Sequence, residues 1–302
     1  MAFKRFFSLL ICVCALAYAH ADTIPVEQQA EPVSAAQKWL DPYPKHVGFG
    51  WGASADMMSN YIFRGLYVGG LSLQADVNVS YGGAFIDMWW NIGATDWTFR
   101  NTNQAIDCAL NPEVDMTIGF SRWGLTVLFM HMYYFDRYSD NHFSRYFDFA
   151  DPKDGVGGIT QEWRIGYKVS SKLPLSILWC TRTFGRDGWN DADGTRHRAY
   201  SSYCELGYDF TLPWQLRLEA RLGFTPWKSL YTGYQSEFAV TNVSAKLVRD
   251  WDAGKHLGVR AFAQIMVNPY DVAEASRKNT DYVSVNGNRQ CLWNVGCGIY
   301  WK

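Results

Sequence analysis

The sequence predicts an all-β fold, a transmembrane antiparallel up-and-down β-barrel of about twelve strands. Three observations predict it: a secretion signal at the N-terminus, strands in which apolar and polar side chains alternate, and connections that are alternately short and long. Successive side chains of a strand point to opposite faces, so the alternation gives each strand one apolar and one charged face. A barrel that meets lipid on its outside and water on its inside requires such strands.

The N-terminal residues have the three parts of a secretory signal peptide: two basic residues, an apolar stretch, and a small-x-small cleavage site that ends at Ala21. We therefore predict a signal peptide at residues 1–21. Residues 22–45 contain four prolines and no sustained period, which predicts a flexible periplasmic extension. Residues 46–302 are predicted to form the barrel as one domain.

The composition favours a membrane barrel over other classes of protein. Aromatic residues make up 17% of the chain, and barrels concentrate Trp and Tyr at the two membrane interfaces. The formal net charge of −1 gives no indication of a nucleic-acid partner. Two of the seven cysteines lie in the predicted signal peptide, and the spacing of the others fits neither a disulfide framework nor a zinc site. The sequence implies no cofactor or metal.

The predicted strands begin near His46 and continue to the C-terminus. They cover residues 46–65, 70–81, 84–94, 111–121, 124–135, 157–170, 174–184, 198–210, 214–224, 237–249, 255–268 and 290–302. Their connections are alternately short and long, like the periplasmic turns and outer loops of bacterial barrels. An even number of strands places both termini at the end of the barrel that carries the short turns.

Residues 214–224 show the alternation most clearly, because Arg217, Glu219 and Arg221 are separated by single apolar residues. A basic side chain on the lipid face of a barrel costs roughly 2–4 kcal/mol at the bilayer midplane, so the charged faces must point inward. In every strand, the inward orientation of the charged face predicts the following pore-lining residues: Asp56, Arg64, Asp76, Asp115, Glu162, Arg164, Lys168, Arg182, Glu205, Asp209, Arg217, Glu219, Arg221, Lys246 and Arg260.

Neighbouring strands carry opposite charges on these inward faces. Cross-strand ion pairs are predicted between two acids and two arginines, namely Glu205 and Asp209 with Arg217 and Arg221. The fifth predicted strand, residues 124–135, differs because both of its faces are apolar. There the interior is expected either to be partly apolar or to be covered by a loop.

Aromatic residues beside the connections predict two interfacial girdles. The periplasmic girdle is predicted to contain Trp123, Trp214, Trp251 and Trp301, and the outer girdle Trp97, Tyr134, Trp189, Trp227 and Tyr270. Barrel proteins usually close with an aromatic residue that the barrel-assembly machinery reads. Here a single Lys follows Trp301. We expect that machinery and outer-membrane lipid to be partners of the chain.

Residues 59–65, with the sequence Ser-Asn-Tyr-Ile-Phe-Arg-Gly, precede an alternating strand, a Gly-Gly turn and a second strand. This segment resembles the opening of the TorF-family porins, in which a Ser-Asp-Tyr-x-Phe-Arg-Gly-like strand begins an outer-membrane barrel. Asn60 stands where that family usually has an acidic residue. The resemblance implies a porin in the outer membrane of a Gram-negative bacterium.

These features predict a channel through which small polar solutes diffuse passively. About eight strands enclose a filled interior and about sixteen an aqueous channel, so a barrel of about twelve is expected to have a narrow lumen. Acids and bases are nearly balanced in the predicted lining, which predicts weak ion selectivity. The alternative is a barrel that paired charges close, which would serve as a structural or loop-displaying binding protein.

A hydrolase at the rim is a further alternative, although we predict no enzymatic activity. Catalysis would require a nucleophile or activated water beside a histidine and a carboxylate. The two candidate clusters are Asp140, His142 and Ser144 in one loop, and Asp191, Asp193 and His197 in another. The loop at residues 136–156 is expected either to lie on the surface or to fold inward as a constriction.

Overall fold

The structure, a computed structural model, describes residues 48–93, 113–134, 146–147, 159–170, 172–185, 187–191, 193–234, 238–270 and 291–301. The strands in these residues are β1 Phe49–Met58, β2 Tyr61–Phe63, β3 Leu66–Gly69, β4 Ser72–Tyr81, β5 Ala84–Gly93, β6 Glu113–Arg122, β7 Leu125–Tyr134, β8 Ile159–Lys168, β9 Leu175–Gly185, β10 Gly188–Asn190, β11 Arg196–Arg198, β12 Ser202–Leu212, β13 Leu216–Thr225, β14 Ala239–Asp252, β15 Leu257–Val267 and β16 Cys291–Trp301. A short 3₁₀ helix, Leu230–Thr232, lies between β13 and β14. The predicted signal peptide and N-terminal extension lie outside the described residues.

Twelve of the strands close into an antiparallel barrel, which confirms the predicted fold class. The order around the ring is β1, β16, β15, β14, β13, β12, β9, β8, β7, β6, β5 and β4, and β4 pairs with β1 to close it. The other strands form two separate hairpins, β2–β3 and β10–β11. Among the residues that the structure describes, no helix is long and apolar enough to cross a membrane.

The short connections all lie at one end of the barrel and the long ones at the other, as predicted. The turn between β4 and β5 is the tightest type: Gly82 and Gly83 have φ values of 60° and 101°, which glycine adopts without strain. The start of β1 and the end of β16 lie at this short-turn end, where Trp51 of β1 stacks on Trp301 of β16 with 5.3 Å between ring centroids.

The first predicted strand, residues 46–65, is wrong in its second half. β1 ends at Met58, and the next residues leave the wall and form the β2–β3 hairpin. A membrane-spanning strand needs only about 9–11 residues, so a strand continuing to Gly65 would be far longer than the bilayer requires. Apolar residues at Tyr61 and Phe63 continue the alternation of β1, but the side chain of Tyr61 is buried rather than lipid-facing.

The outer face of the barrel is apolar and the inner face is polar, as the alternation predicts. On β8, Ile165 has 52% of its surface exposed, whereas Arg164 beside it is 3% exposed. On β16, Trp293 is 59% exposed and Asn294 is 4% exposed. An apolar surface that surrounds a closed barrel is the surface that a bilayer covers.

The aromatic residues at the two ends agree with the predicted girdles only in part. Trp123 and Trp214, beside the short turns, are each 79% exposed, and Trp227 is exposed near the long connections. Tyr134 was predicted for the outer girdle, and this is wrong, because its ring packs inside the barrel against the apolar side chains of β5 and β7. Trp97 lies outside the described residues.

The strand with two apolar faces, β7, has a different partner on each side. Its inward-facing residues form a buried apolar cluster with one residue of β5, which makes the interior partly apolar; the cluster consists of Phe85, Leu128, Met130 and Met132. On the outward face, the ring of His131 meets Tyr146 edge-on, and its Nε2 lies 2.8 Å from the backbone oxygen of Tyr146. The described part of the loop at residues 136–156 therefore packs on the outside of the wall.

Candidate functional site in the barrel interior

The predicted lining residues all lie in the described part of the chain. All but one occupy inward-facing positions of barrel strands, and the exception, Arg64, enters the interior from the turn between β2 and β3. The most buried of them have exposed fractions of 9% or less: Arg64, Asp76, Asp115, Glu162, Arg164, Arg182, Glu219 and Arg221. The others are half-buried: Asp56, Lys168, Glu205, Asp209, Arg217, Lys246 and Arg260. Eleven of the fifteen form two groups with different geometry.

The first group, which we call the wall network, runs along β12, β13, β14, β15 and β1 and consists of Glu205, Asp209, Arg217, Glu219, Arg221, Lys246, Asp250, Arg260 and Asp56. The predicted pairing of Arg221 is confirmed: its Nη2 lies 2.7 Å from Asp209, and its Nε lies 3.6 Å from Glu205. Arg217 stands opposite Thr211, and its guanidinium instead donates to Glu219 on its own strand at 3.0 Å.

The strand register explains how the rest of the wall network meets. Asp56 on β1 and Arg260 on β15 both stand opposite Gly298 of β16, which has no side chain, and they form an ion pair at 3.3 Å across that strand. Lys246 stands directly opposite Glu219. Asp250, whose carboxylate lies 3.6 Å from Arg217, is absent from the predicted lining because the predicted tenth strand ends one residue before it.

The second group, which we call the cross-lumen cluster, is centred on Glu162 of β8 and consists of Arg64, Glu162, Arg164, Cys180 and Tyr231. The carboxylate of Glu162 is fully buried and accepts two hydrogen bonds from Arg64, each of 2.7 Å. It also accepts one from Nε of Arg164 at 2.5 Å. A bidentate guanidinium–carboxylate pair fixes both distance and orientation. This pair therefore fixes the tip of the β2–β3 hairpin against β8.

Arg64 has further partners outside the predicted lining. Its Nη1 donates to the Tyr231 hydroxyl at 2.6 Å, and its Nη2 lies 2.9 Å from Sγ of Cys180. The ring of Tyr203 lies under the guanidinium at 5.0 Å. The inward positions of Cys180 and Tyr203 follow from the alternation of β9 and β12, whereas Tyr231 lies in a connection, and no period marks it.

The wall formed by β4, β5 and β6 carries acids on its inner face. Asp76 accepts a hydrogen bond from Ser54 at 3.2 Å, and Glu113 accepts one from Tyr61 at 3.1 Å. Oδ1 of Asp115 and Nε of Arg182 are buried, and no group among the described residues forms a hydrogen bond with either atom. These two residues belong to neither group.

The rim candidates are only partly described. Asp140, His142 and Ser144 lie outside the described residues. In the exposed β10–β11 hairpin, Nε2 of His197 lies 2.6 Å from Asp191. The backbone N–H of Thr195 donates to Asp193 and lowers the pKa of that carboxyl. The ring of Trp189 stacks on His197 at 5.3 Å. Among the described residues, no group of His, Cys, Asp and Glu has the arrangement of a metal site.

A closed antiparallel barrel with an apolar outside and a charged interior has the architecture of outer-membrane β-barrel proteins. No family model and no curated protein sequence matches the chain. The TorF-family resemblance therefore remains a prediction.

Solved structures that resemble the chain include porins and an outer-membrane channel. The NanC porin has 10% identity and a TM-score of 0.43, over 84% of this chain and 100% of that one. The KdgM porin has 5% identity and a TM-score of 0.39, over 83% of this chain and 98% of that one. An outer-membrane channel from Pseudomonas putida F1 has 8% identity and a TM-score of 0.42, over 92% of this chain and 99% of that one.

Proposed function

We propose that this chain is an outer-membrane channel of a Gram-negative bacterium through which small polar solutes diffuse passively. The observation that carries the proposal is the division of the closed barrel into an apolar outer face and an inner face of polar and acidic or basic residues. Charged side chains are costly on a lipid face, and in a lumen they replace part of the hydration of a passing solute. The charges of the wall network would act in this way.

The lining residues also support weak ion selectivity. The predicted set contains seven acids and eight bases. Most of these charges pair within the barrel, so a passing ion meets short-range dipoles rather than a field of one sign. The partners that we propose are outer-membrane lipid, the barrel-assembly machinery during insertion, and the solutes.

A plugged barrel that displays its loops is the second candidate, and one observation favours it. The interior at the long-loop end contains a buried cluster of side chains from the β2–β3 hairpin, from the connections and from the wall: Leu66, Cys180, Ala199, Tyr203, Leu230, Tyr231 and Tyr234. The cluster joins the hairpin to the wall. A barrel that is filled permanently at this level would pass no solute.

The test is conductance in planar lipid bilayers with the mature chain refolded in detergent. We expect discrete, reproducible current steps, and in a salt gradient a reversal potential close to zero. Insertion is checked separately by heat-modifiable migration in gels and by protease protection in vesicles. Folded, inserted protein that gives no current would contradict the channel and favour the plugged barrel.

A further inference from the structure

The β2–β3 hairpin leaves the wall at a defined place. The last residue of β1, Met58, is still paired with Ser72 of β4, so the wall is continuous without the hairpin. At the point of departure the side chain of Asn60 donates to the backbone oxygen of Trp293 on β16 at 2.8 Å, and its backbone N–H donates to Asn294 at 3.2 Å. The chain between β1 and β4 is thus an insert fixed to the wall at its base.

The arginine side chain at the tip of the hairpin reaches the far side of the barrel. Arg64 at the tip holds Glu162 of β8, and around the ring β4, β5, β6 and β7 stand between β1 and β8. On the other side six strands stand between them, so the two are nearly opposite. The Arg64–Glu162 pair therefore bridges the lumen rather than two neighbouring strands.

The two flanks of the hairpin contact different sides of the interior. The hydroxyl of Tyr61 donates to Glu113 of β6. On the other flank the backbone oxygen of Gly65 accepts from Asn268, just after β15, at 3.1 Å. Tyr67 is 3% exposed and packs with Met266 of β15 and Leu292 of β16. The hairpin therefore lies along β14, β15 and β16, and the side chains of Tyr61 and Arg64 extend from it across the lumen to β6 and β8.

The turn of the hairpin is unfavourable for arginine. Arg64 and Gly65 have φ values of 50° and 88°, so both adopt left-handed conformations. Two-residue turns of this kind prefer Asn-Gly, whereas a bulky L-residue in this region is strained. A strained residue persists where its surroundings hold it. Here the hydrogen bonds of the guanidinium to Glu162 and Tyr231 hold it.

We propose that the β2–β3 hairpin is a releasable plug at the long-loop end and that Arg64 is the latch that holds it closed. This proposal rests on the proposed channel function, and it adds that the hairpin sets the size limit for the solutes that pass. With the latch engaged, only the smallest solutes and ions pass. Without it the hairpin moves from the lumen, and the wall remains closed through the pairing of β1 with β4.

Two variants test the latch. Arg64→Asn removes the guanidinium. The hairpin still folds, because asparagine suits the left-handed turn. The second variant replaces residues 59–71 by Asn-Gly, which joins β1 directly to β4. Arg196→Asn, the same change at an exposed arginine of the β10–β11 hairpin, is the matched control.

Cys180 supplies a readout that does not depend on current. Its side chain is inside the barrel, has no exposed surface and lies against Arg64. With Cys108, Cys204, Cys291 and Cys297 replaced by alanine, modification by a small methanethiosulfonate reagent reports whether the hairpin covers this thiol. Loss of charged hydrogen bonds shifts the ratio of closed to open hairpin by roughly tenfold or more, and labelling should accelerate accordingly.

The outcomes separate the plug from the channel. The plug is supported if the parent and Arg196→Asn show slow labelling and small conductance. Arg64→Asn and the replacement variant should then both show faster labelling and larger conductance. Equal labelling rates in the parent and in Arg64→Asn overturn the latch. Fast labelling of the replacement variant without any current from the inserted protein supports the plug but overturns the proposed channel. If both proteins conduct, equal conductance in the parent and in the replacement variant overturns the plug.

Discussion

The two ionic groups in the interior use the same residue types in different ways. The wall network joins neighbouring strands, or the two strands on either side of Gly298 in β16, and some of its side chains keep solvent contact: 15% of the Asp209 side chain and 15% of the Arg217 side chain are exposed. The cross-lumen cluster joins nearly opposite strands, and the Glu162 side chain has no exposure. Ion pairs between neighbouring strands thus stabilise the wall, whereas the buried pair across the lumen fixes the hairpin in the interior.

The difference in burial has an energetic consequence. Ions that remain near water are screened, and each cross-strand pair contributes roughly 0.2–1 kcal/mol. A buried carboxylate between two guanidiniums makes close contacts that compensate the loss of hydration, and removing it leaves two buried cations without compensation. We therefore expect the wall network to tolerate substitutions that the cross-lumen cluster does not.

Glu162→Ala should have the largest effect on stability. It leaves Arg64 and Arg164 buried without their shared carboxylate, and breaking such a pair costs roughly 3–5 kcal/mol. The free energy of unfolding in urea, measured in lipid vesicles, gives the effect. Asp209→Ala in the wall network is the comparison, because Arg221 keeps Glu205 and Glu219 within 4 Å. Equal losses for the two variants would show that burial does not distinguish the two groups.

Gly65→Ala should have the next largest effect. The backbone has φ of 88°, and an added Cβ would overlap the backbone oxygen of Thr241 on β14. The left-handed conformation alone costs an L-residue roughly 1–2 kcal/mol, and the overlap adds to it. The variant should lose more stability than Gly194→Ala and should label faster at Cys180.

Gly194→Ala is a matched control for that substitution. Gly194 has φ of 84° in the turn of the β10–β11 hairpin, and no heavy atom of the described residues lies within 4 Å of an added Cβ. It therefore reports the backbone cost without the overlap. If both glycine variants lose the same stability, the close approach to β14 does not constrain the residue at position 65.

The same contrast explains what the sequence could predict. The period of two and the cost of charge in lipid are local rules, and they correctly place Arg217, Glu219 and Arg221 on the inner face of β13. They also place Asp209 beside Arg221. The wall network depends only on strand register, which alternation and short turns determine. Most of it was therefore predictable.

The cross-lumen cluster was predictable only in its members on the wall. Glu162 and Arg164 follow from the alternation of β8, but alternation places their partner Arg64 in the first strand, because residues 61 and 63 continue the period of that strand. The predicted strand and the observed turn between β2 and β3 both place Arg64 in the interior, the first by alternation and the second by folding back of the insert. Tyr231 lies in a connection, where position depends on long-range packing rather than on a repeating pattern. An insert whose residues continue the period of the preceding strand cannot be distinguished from that strand by alternation.

Asp209→Asn should have the smallest effect on stability and a measurable effect on selectivity. The side chain keeps its shape, and Arg221 retains two other carboxylates, so the free energy of unfolding should fall by less than about 1 kcal/mol. One negative charge is nevertheless lost from the wall network, so in a salt gradient the reversal potential should shift toward that of anions. Asp191→Asn, in the exposed β10–β11 hairpin, should leave the reversal potential unchanged. A shift of the same size in both variants would show that the current does not pass the wall network.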